Sequence, residues 1–471
     1  MRVTLDRQRA AFDAAMPEPL AVRRDRLKRA AAMVRDNAER FCDALSEDFG
    51  HRSREQSMMT DIAGSIAPTS HALKHLDRWA RPERRGVQFP LGLLGVRAWI
   101  EYQPLGVVGV IAPWNFPVNL VMSPLAGVFA AGNRAMVKLS EYTPATAALF
   151  EEVRPKYFAE EELAFVSGGP EVGRAFAELP FDHLLFTGAT GIGRHILHAA
   201  ADNLTPVTLE LGGKSPAIIG TGADLRQATE RIAMGKMLNA GQICLAPDYV
   251  LAPEAQEQAV VDGVRAAVSA MYPTLLGNPD YTSVINDRHH QRLHEWLDDA
   301  RAKGARVEVV NPAQEGFAGS NSRKMPLHIV RDVTDDMTLM REEIFGPVLP
   351  VVPYRGIDDA IARVRRGGRP LGLYYFGPDA AERRRVLDRT HSGGVTLDDV
   401  LFHVSMEDLP FGGVGPSGMG AYHGRDGFRT FSHARAVYKQ ARVDVAKLAG
   451  LKPPYGAATR KSVERQIGKP R

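Results

Sequence analysis

The sequence is poor in cysteine: its 471 residues include only two, Cys42 and Cys244. Two cysteines cannot form a network of several disulfides or a four-cysteine metal site, and they are not arranged as C-x-x-C. The motif H-E-x-x-H is also absent, and the 14 histidines show no spacing typical of metal ligands. We therefore expect two free thiols in a reducing, cytoplasmic environment and no bound metal.

Long apolar runs are missing as well. No stretch of about 18 apolar residues occurs, and residues 1–20 lack the apolar core of a secretory signal, so no transmembrane anchor and no export are expected. An excess of one charge is also missing, because 59 Lys and Arg face 55 Asp and Glu, a formal net charge of +4. The overall charge therefore indicates no nucleic-acid partner.

The small positive excess is concentrated in the C-terminal tail, residues 446–471. From Lys452 onward the tail carries six Lys and Arg residues and one Glu. Such a segment can contact acidic lipid or nucleic acid. The alternative, which we favour, is a solvated tail or an arm that packs on a partner subunit.

Strand-like runs alternate with helix-like stretches along most of the chain. Apolar residues recur at helical spacing from Leu20 to Leu45, and Gly50 follows. A second alternating region begins near Gly212. Continuous β-rich runs, of the kind buried on both faces of a parallel sheet, occupy residues 106–113, 134–140 and 183–188. This alternation predicts a doubly wound α/β fold, and the length predicts two or three domains.

Three well-known motifs fail in detail. In "GATGIGRHI", Gly191 and Gly193 need a third glycine at position 196, where the chain has Ile196. "GVFAAGNR" has two glycines at P-loop spacing but lacks the Lys-Ser/Thr that must follow. "GPSGMG" puts Met419 where a nucleophile elbow needs glycine. The strict Rossmann fingerprint, a P-loop and a G-x-S-x-G hydrolase site are therefore excluded.

Two polar residues stand out in apolar surroundings. In "APWNFP", two prolines stiffen a turn at the end of a strand-like run and present Asn115 between aromatic residues. Strand ends bind ligands in open α/β sheets, so Asn115 is either a site residue or a turn cap. In "TLELGGKSP", Glu210 lies within an apolar strand. A carboxylate there is either a general base with a raised pKa or half of a buried ion pair.

The third candidate is Cys244, which follows "NAGQI" at the end of a helix-like segment. A cysteine thiolate is a strong nucleophile, and a thioester formed from it is readily attacked by water. The alternative is a buried cysteine that only fills space. Cys42, beside Phe41 in the first long helix, is predicted to be such a packing residue.

Together these stretches resemble the NAD(P)-dependent aldehyde dehydrogenase superfamily. "PWNFP", "ELGGKSP", "GQIC", "EEIFGP" and "PFGGVGPSGMG" are similar to its characteristic stretches and occur in the same order, within residues 20–440. "NPDYTSVIND", "LPFDHLLFTG" and "YHGRDGF" resemble its class 3 branch, in which the coniferyl-aldehyde dehydrogenases are the nearest group.

The resemblance implies a Rossmann-like cofactor-binding domain, an α/β catalytic domain and a small β-rich oligomerisation element that serves a homodimer. The NAD(P)-binding domain is placed in residues 1–84 and 107–211, and the catalytic domain in residues 212–410. Residues 85–106 and 411–445 are placed in the oligomerisation or bridging element.

The resemblance also implies the chemistry. Cys244 attacks the aldehyde, the Asn115 amide and the Cys244 backbone N–H hold the oxyanion, and Glu210 activates the water that hydrolyses the thioester. No metal is required. Relatives that pass the acyl group to coenzyme A lack this glutamate, so water is the expected acceptor. Trp114, Phe116 and Phe402 suggest an apolar mouth for aromatic or medium-to-long aliphatic aldehydes.

The cofactor is expected to be NAD, with NADP possible. Glu141 would accept a hydrogen bond from a free 2′-hydroxyl and repel a 2′-phosphate. By the same resemblance, the residues that contact the cofactor are Trp114, Lys138, Glu141, Thr187, Gly188, Ala189, Leu211, Glu343 and Phe345. The alternatives left open are a coenzyme-A-acylating enzyme, a non-catalytic relative of the same fold and a redox-sensing thiol protein.

Overall fold

The structure is a computed structural model that describes residues 1–89, 91–317, 319–448 and 450–468. The helices are α1 Arg2–Ala15, α2 Leu20–Arg35, α3 Ala38–Phe49, α4 Arg54–Ser57, α5 Gly64–Trp79, α6 Asn119–Ala131, α7 Pro144–Tyr157, α8 Pro170–Ala177, α9 Thr190–Ala201, α10 Leu225–Met237, α11 Glu257–Met271, α12 Asp287–Ala302, α13 Thr338–Arg341, α14 Ile357–Arg366, α15 Ala380–Arg389, α16 Gly424–Thr430, α17 Val445–Leu448 and α18 Ala457–Ile467. The strands are β1 Glu83–Arg85, β2 Arg97–Pro104, β3 Val107–Ile111, β4 Arg134–Lys138, β5 Leu163–Val166, β6 His183–Gly188, β7 Val207–Leu211, β8 Pro216–Ile219, β9 Tyr249–Pro253, β10 Arg306–Val310, β11 Leu327–Arg331, β12 Val348–Tyr354, β13 Gly372–Phe376, β14 Gly394–Leu397, β15 Gly418–Met419 and β16 Ser432–Lys439.

The first sheet has six strands in the order β15-β7-β6-β3-β4-β5. Only the short β15 is antiparallel to its neighbour. Side chains of β3 alternate between two cores: Val108 and Val110 pack in the larger core with α6 and α7, whereas Val107 shares a core with Leu5 of α1 and Ile196 of α9. Helices thus cover both faces, and the predicted doubly wound α/β fold is confirmed.

The second sheet has seven strands in the order β10-β11-β12-β9-β8-β13-β14. All neighbours are parallel except β10, which pairs antiparallel to β11 at the edge. β8, β9 and β13 are buried almost throughout, which explains their apolar sequences. The second α/β region predicted from Gly212 onward is therefore present.

A small antiparallel sheet, β1-β2-β16, lies apart from the other two. β16 pairs with β2 along its whole length, from Ser432 opposite Pro104 to Lys439 opposite Arg97. Most residues of β16 are exposed. β15, which was assigned to the same element from the sequence, joins the first sheet beside β7 instead. The functional division into domains stays a prediction.

The helix expected from Leu20 to Leu45 is wrong in one respect: the structure has two helices, α2 and α3. α2 ends at Arg35, and Asn37 leaves the helical conformation with φ of −119°. The Asn37 side chain donates to the carbonyl of Met33 at 2.9 Å, an alternative to the helical backbone pattern that asparagine readily offers. The apolar spacing continues across this break, which is why periodicity alone missed it.

The part of the basic tail that the structure describes forms two helices, α17 and α18. α17 and α18 contain no buried residue. Residues 449 and 469–471 of the predicted tail lie outside the described residues. Within the part of the chain that the structure describes, no helix is long and apolar enough to cross a membrane.

Candidate active site

Cys244 follows a turn in which three successive residues adopt left-handed backbone conformations. Asn239, Ala240 and Gly241 have φ of 50°, 52° and 74°. Two of them carry side chains, so the turn is strained and must be held by its surroundings. At Gly241 only glycine fits, because a Cβ would lie 2.4 Å from the carbonyl oxygen of Gly346. The turn presents Cys244 with a partly exposed side chain.

Asn115 reaches this loop from the end of β3, in the other large sheet. Its side chain is buried, and its Nδ2 donates to the carbonyl of Gln242 at 3.1 Å, two residues before Cys244. One amide hydrogen remains for another acceptor. Within the described residues the side chain makes no hydrogen bond inside its own turn, so Asn115 is not a turn cap. The structure brings it to the cysteine.

Glu210 lies in β7, opposite Thr187 of β6 on one side and Gly418 of β15 on the other. It is only 2% exposed, and in the described part of the chain neither carboxylate oxygen has a hydrogen-bond partner. The alternative of a buried ion pair therefore fails. Burial raises the pKa of Glu210 well above the ordinary value. Such a carboxyl is suited to proton transfer.

The charges of Glu210 and Glu343 act on the Cys244 thiol. Burial is the main cause that raises the pKa of the Cys244 thiol, and the charges of Glu343 and Glu210 add to it. Hydrogen bonds from the backbone N–H groups of Cys244 and Leu245 act in the opposite direction. The thiol therefore stays neutral until its proton is removed.

The residues predicted to contact the adenosine and pyrophosphate lie at the carboxyl ends of neighbouring strands. Lys138 ends β4, and its Nζ lies 3.0 Å from Oε2 of Glu141. Thr187 and Gly188 end β6, and Ala189 is the N-cap residue of α9. The Thr187 hydroxyl is buried and has no partner among the described residues. A helix N-terminus beside an unpaired hydroxyl fits a phosphate group.

The residues predicted to contact the nicotinamide end come from the turn after β3, from the end of β7 and from the loop between α13 and β12. The Glu343 carboxyl covers Gly212 so closely that a Cβ there would lie 1.9 Å from its Oε2, and its buried Oε1 has no partner in the described residues. Burial raises the pKa of Glu343 to about 8. The rings of Trp114 and Phe345 meet edge to face, 5.2 Å apart. A free acceptor beside two aromatic rings fits a ribose hydroxyl and a planar ring.

Comparisons with known proteins agree with this geometry. The profile of the aldehyde dehydrogenase family matches residues 3–437. The chain belongs to the aldehyde dehydrogenase family. A probable coniferyl aldehyde dehydrogenase of Caulobacter vibrioides is 54% identical over 470 residues, which cover 100% of this chain and 97% of the relative. The coniferyl aldehyde dehydrogenase of Pseudomonas sp. strain HR199 is 53% identical over 454 residues, 96% and 93% of the two chains.

A solved structure is similar over nearly the whole chain of this aldehyde dehydrogenase. The substrate-bound state of Staphylococcus aureus AldH superposes with a TM-score of 0.91 at 33% sequence identity and covers 99% of both chains. Family membership, the α/β fold and the assignment as an NAD(P)-dependent oxidoreductase that acts on aldehydes are thereby confirmed. The roles of the individual site residues stay predictions.

The failed dinucleotide fingerprint has a physical explanation in this aldehyde dehydrogenase. Ile196, which stands at the third glycine position, is buried on α9 and packs with Phe186 and Leu209 of the first sheet. Closer helix–sheet contact is made one turn earlier, where a Cβ on Gly193 would lie 2.9 Å from the Leu211 side chain. The helix therefore approaches the sheet at Gly193, and no glycine is needed at position 196.

Two residues that support the site were missed from the sequence. Lys214 donates from Nζ to the carbonyls of Leu339 and Glu342, at 2.7 and 2.9 Å, and pairs with Asp248. Oδ1 of Asp248 accepts the backbone N–H of Ile344 at 3.0 Å. Lys214 bonds the segment that leads to Glu343 directly, and its partner Asp248 bonds the residue after Glu343. The stretch "ELGGK" is thereby connected to the loop that carries Glu343. The only signal was that Lys214 stands inside a stretch already singled out.

Cys42 is confirmed as a packing residue. It is 3% exposed and belongs to the larger hydrophobic core. Burial raises the pKa of its thiol to about 11, so the thiolate is scarce near neutral pH. Of the two cysteines, only Cys244 lies among the candidate catalytic groups.

Proposed function

We propose that the enzyme oxidises aromatic aldehydes of the coniferyl type to carboxylic acids, with Cys244 as nucleophile, Asn115 as oxyanion donor and Glu210 as base. The observation that carries this proposal is the state of Glu210: buried, unpartnered among the described residues and electrostatically coupled to Cys244. A structural carboxylate would be paired. The coniferyl aldehyde dehydrogenases among its relatives support the substrate class.

Cys244 packs against the same hydrophobic core as the buried aromatic pair Phe411 and Tyr422. Tyr422 is buried, and its pKa is raised by burial first, then by the charges of Glu210 and Cys244. Its ring meets Phe411 edge to face, with centroids 5.9 Å apart. Aromatic rings attract a further aromatic ring in offset-stacked or edge-to-face contact. Phe402 is half-exposed, at the surface of the same loop region.

In the first half of the reaction, the Cys244 thiol releases its proton to water and its sulfur forms a bond to the aldehyde carbon. The carbonyl oxygen becomes an oxyanion that the Asn115 amide and the Cys244 N–H bind. Each such donor contributes about 3–4 kcal/mol to the transition state. When NAD(P)+ is bound, it supplies the acceptor for the hydride, and Cys244 is left as a thioester.

In the second half, Glu210 accepts a proton from a water molecule whose oxygen attacks the thioester carbon. The oxyanion forms again at the same donors, and the Cys244 thiolate leaves as the carboxylic acid is released. Glu210 then returns its proton to solvent. A buried carboxyl with a raised pKa is a stronger base than an ordinary glutamate once ionised, which favours this role.

The proposal is tested by following NADH absorbance with three aldehydes: coniferyl aldehyde, cinnamaldehyde and hexanal. We expect kcat/KM for both aromatic aldehydes to exceed that for hexanal by about 10-fold or more, because a flat ring fills an aromatic pocket better. A higher kcat/KM for hexanal would contradict the aromatic assignment. If coenzyme A raised the rate and acyl-CoA replaced the acid as product, hydrolysis would not be the second half-reaction.

We expect the rate to rise with pH. Glu210 and Cys244 must both lose a proton to act, and the pKa of each is raised, so the active forms are scarce at low pH and grow as pH increases. Below the controlling pKa, kcat should fall about tenfold for each pH unit. Steady-state rates from about pH 6 to about pH 9 measure this. A rate that falls across that range would contradict the assignment.

We propose NAD as the preferred cofactor. Glu141 is partly exposed beside Lys138, where its carboxylate can accept a hydrogen bond from the 2′-hydroxyl and repel a 2′-phosphate. We expect kcat/KM for NAD to exceed that for NADP. In Glu141→Gln the ratio should move toward NADP, because the repulsion is removed. A wild-type preference for NADP would refute the proposal.

We also propose a cytoplasmic homodimer, with the β1-β2-β16 sheet in the interface. The edge strand β16 is exposed along its length, and Phe89 and Leu93 of the neighbouring loop are 86% and 79% exposed. Open strand edges and large apolar side chains are typical of surfaces that are covered in an assembly. Light scattering should give twice the 51.5 kDa mass of one chain.

A further inference from the structure

We propose that Arg52, Gln56 and Asp61 are positioning residues: together they set the two hydrogen-bond donors of the oxyanion site, Asn115 and Cys244, relative to each other. The inference rests on the proposed roles of those two residues. The donors come from different sheets, one from the turn after β3 and the other from the loop after α10. Residues 52–61 contact both segments.

The first contact holds the Asn115 turn. Nη1 of Arg52 donates to the Asn115 carbonyl at 2.9 Å, and Nη2 lies 2.6 Å from Oδ2 of Asp61. Oδ1 of Asp61 accepts the backbone N–H groups of Val118 and Asn119, at 3.0 and 3.2 Å. The side chains of Arg52 and Asp61 are both 0% exposed. The ion pair therefore bonds the turn on both sides, at the Asn115 carbonyl and at the backbone N–H groups of Val118 and Asn119.

Aromatic rings hold the Arg52 guanidinium in place. Its Cζ lies 4.7 Å from the ring centroid of Phe49 and 5.1 Å from that of Phe116, the residue after Asn115. A planar guanidinium between two rings has a fixed orientation, which an ammonium group would lack. The direction of the bond to the Asn115 carbonyl is therefore set by packing as well as by charge.

The second contact holds the strained turn before Cys244. Oε1 of Gln56 accepts the Asn239 backbone N–H at 2.9 Å, and its Nε2 donates to Asn239 Oδ1 at 3.2 Å. The Asn239 Nδ2 in turn donates to the carbonyls of Asn115 and Gln242, at 3.1 and 3.2 Å. Gln56 thus holds Asn239, which has a φ of 50° and itself donates a hydrogen bond to the turn that carries Asn115.

The backbone that carries these side chains is itself unusual. Met58–Ala63 is π-helical, and it lies between the short helix α4 and α5. A π-helical turn changes the direction in which later side chains point, and such turns are frequent at functional sites. Here it allows Gln56 to face the cysteine loop while Asp61 faces the Asn115 turn.

These contacts bear on catalysis because an oxyanion site depends on placement. A displacement of about 1 Å in a donor can cost about 100-fold in rate. Asn115 and Cys244 share no strand or helix, so their separation is set by what lies between them. Hydrogen bonds run without a gap from Arg52 through Asn115 and Asn239 to Gln56. The removal of one member therefore loosens both donors.

The test replaces Gln56 with methionine, which keeps the volume and leaves no buried charge. NADH formation is measured by rapid mixing with enzyme in excess over aldehyde, so that the rate constant at saturating enzyme does not depend on how much protein is folded. We expect Gln56→Met to lower that rate constant about 10- to 100-fold. Hydrolysis of a nitrophenyl ester, which uses the same donors without cofactor, should fall by the same factor.

Gln8→Met is the matched control. Gln8 is 0% exposed and donates to two backbone carbonyls, those of Ala135 and Glu160, both at 2.9 Å. Its loss should lower Tm as Gln56→Met does while the rate constant stays at the wild-type value. The Kd for NADH should be unchanged in both variants.

The proposal is overturned if Gln56→Met keeps the wild-type rate constant, if Gln8→Met loses as much, or if the NADH Kd rises in step with the lost rate. Arg52→Lys provides a second variant should Gln56→Met not fold, because it retains the charge but not the planar contacts, and it should give the same loss. If Cys244→Ala or Asn115→Ala stays active, the proposed function has failed rather than this inference.

Discussion

Replacement of Cys244 by alanine is expected to abolish aldehyde oxidation. The thiolate is the only group in the proposed reaction that bonds the substrate, and without it no thioester forms. Removal of a catalytic nucleophile from other enzymes costs about four to six orders of magnitude in kcat, and we expect a loss of at least about 10⁴-fold here. Alanine removes one sulfur atom from a partly exposed site, so the fold should be retained.

Three measurements make this result specific. NADH absorbance gives the rate, fluorescence titration should show unchanged NADH binding, and thermal unfolding should show a similar Tm. Cys42→Ala is the natural control, because it removes the other thiol, which is buried in the larger core and is not among the candidate catalytic groups. Steady turnover by Cys244→Ala, or equal loss in Cys42→Ala, would remove Cys244 from its proposed role.

The second large effect is expected from Glu210→Gln. Glutamine has nearly the same shape but cannot accept a proton, so the first half-reaction should proceed and thioester hydrolysis should stop. We expect a burst of about one NADH per active site followed by a steady rate lowered about 10²- to 10⁴-fold, the usual contribution of a general base. Because Glu210 has no charged partner in the described structure, the substitution leaves no orphaned cation behind.

Rapid mixing separates the two half-reactions. Hydroxylamine, which attacks thioesters without a general base, should restore part of the steady rate in Glu210→Gln and leave Cys244→Ala inactive. Glu343→Gln is the comparison variant, since Glu343 is a half-buried glutamate whose charge also acts on the Cys244 thiol but which is assigned to the cofactor. A burst in Glu343→Gln that is absent in Glu210→Gln would exchange the two assignments.

Much of the fold was readable from the sequence, and the exceptions have physical causes. β3, β4 and β6 are mainly apolar and largely buried because helices cover both faces of their sheet, and such runs are evident without a structure. The division of the first long helix at Asn37 was missed because apolar periodicity continues across it. The π-helical turn at Met58–Ala63 has no sequence signal, since hydrogen bonding around Asp61 selects it.

The candidate site was predicted only in part. Asn115, Glu210 and Cys244 stand in short, unusual stretches, so local sequence indicated them. The residues that hold them were not indicated in this way. Lys214 bonds the carbonyl of Glu342, 128 positions further along the chain, and Asp248 bonds Ile344, 96 positions further along. Gln56 and Asn239 are 183 positions apart. A pattern of neighbouring residues cannot reveal a contact between residues so far apart in the sequence.

By itself the sequence determined which residues carry chemistry, because reactivity belongs to side chains and their neighbours in the chain: a thiol after a glycine turn, a carboxyl in an apolar strand, an amide between prolines. Only the tertiary structure decided whether these side chains are buried and whether they have hydrogen-bond or charged partners. Burial without a partner among the described residues favours the proposed role of Glu210 as a base over half of an ion pair, and the burial of Cys42 in the core favours Cys244 as the proposed nucleophile. Desolvation and distance depend on the packing of segments far apart in sequence, which composition and spacing do not encode.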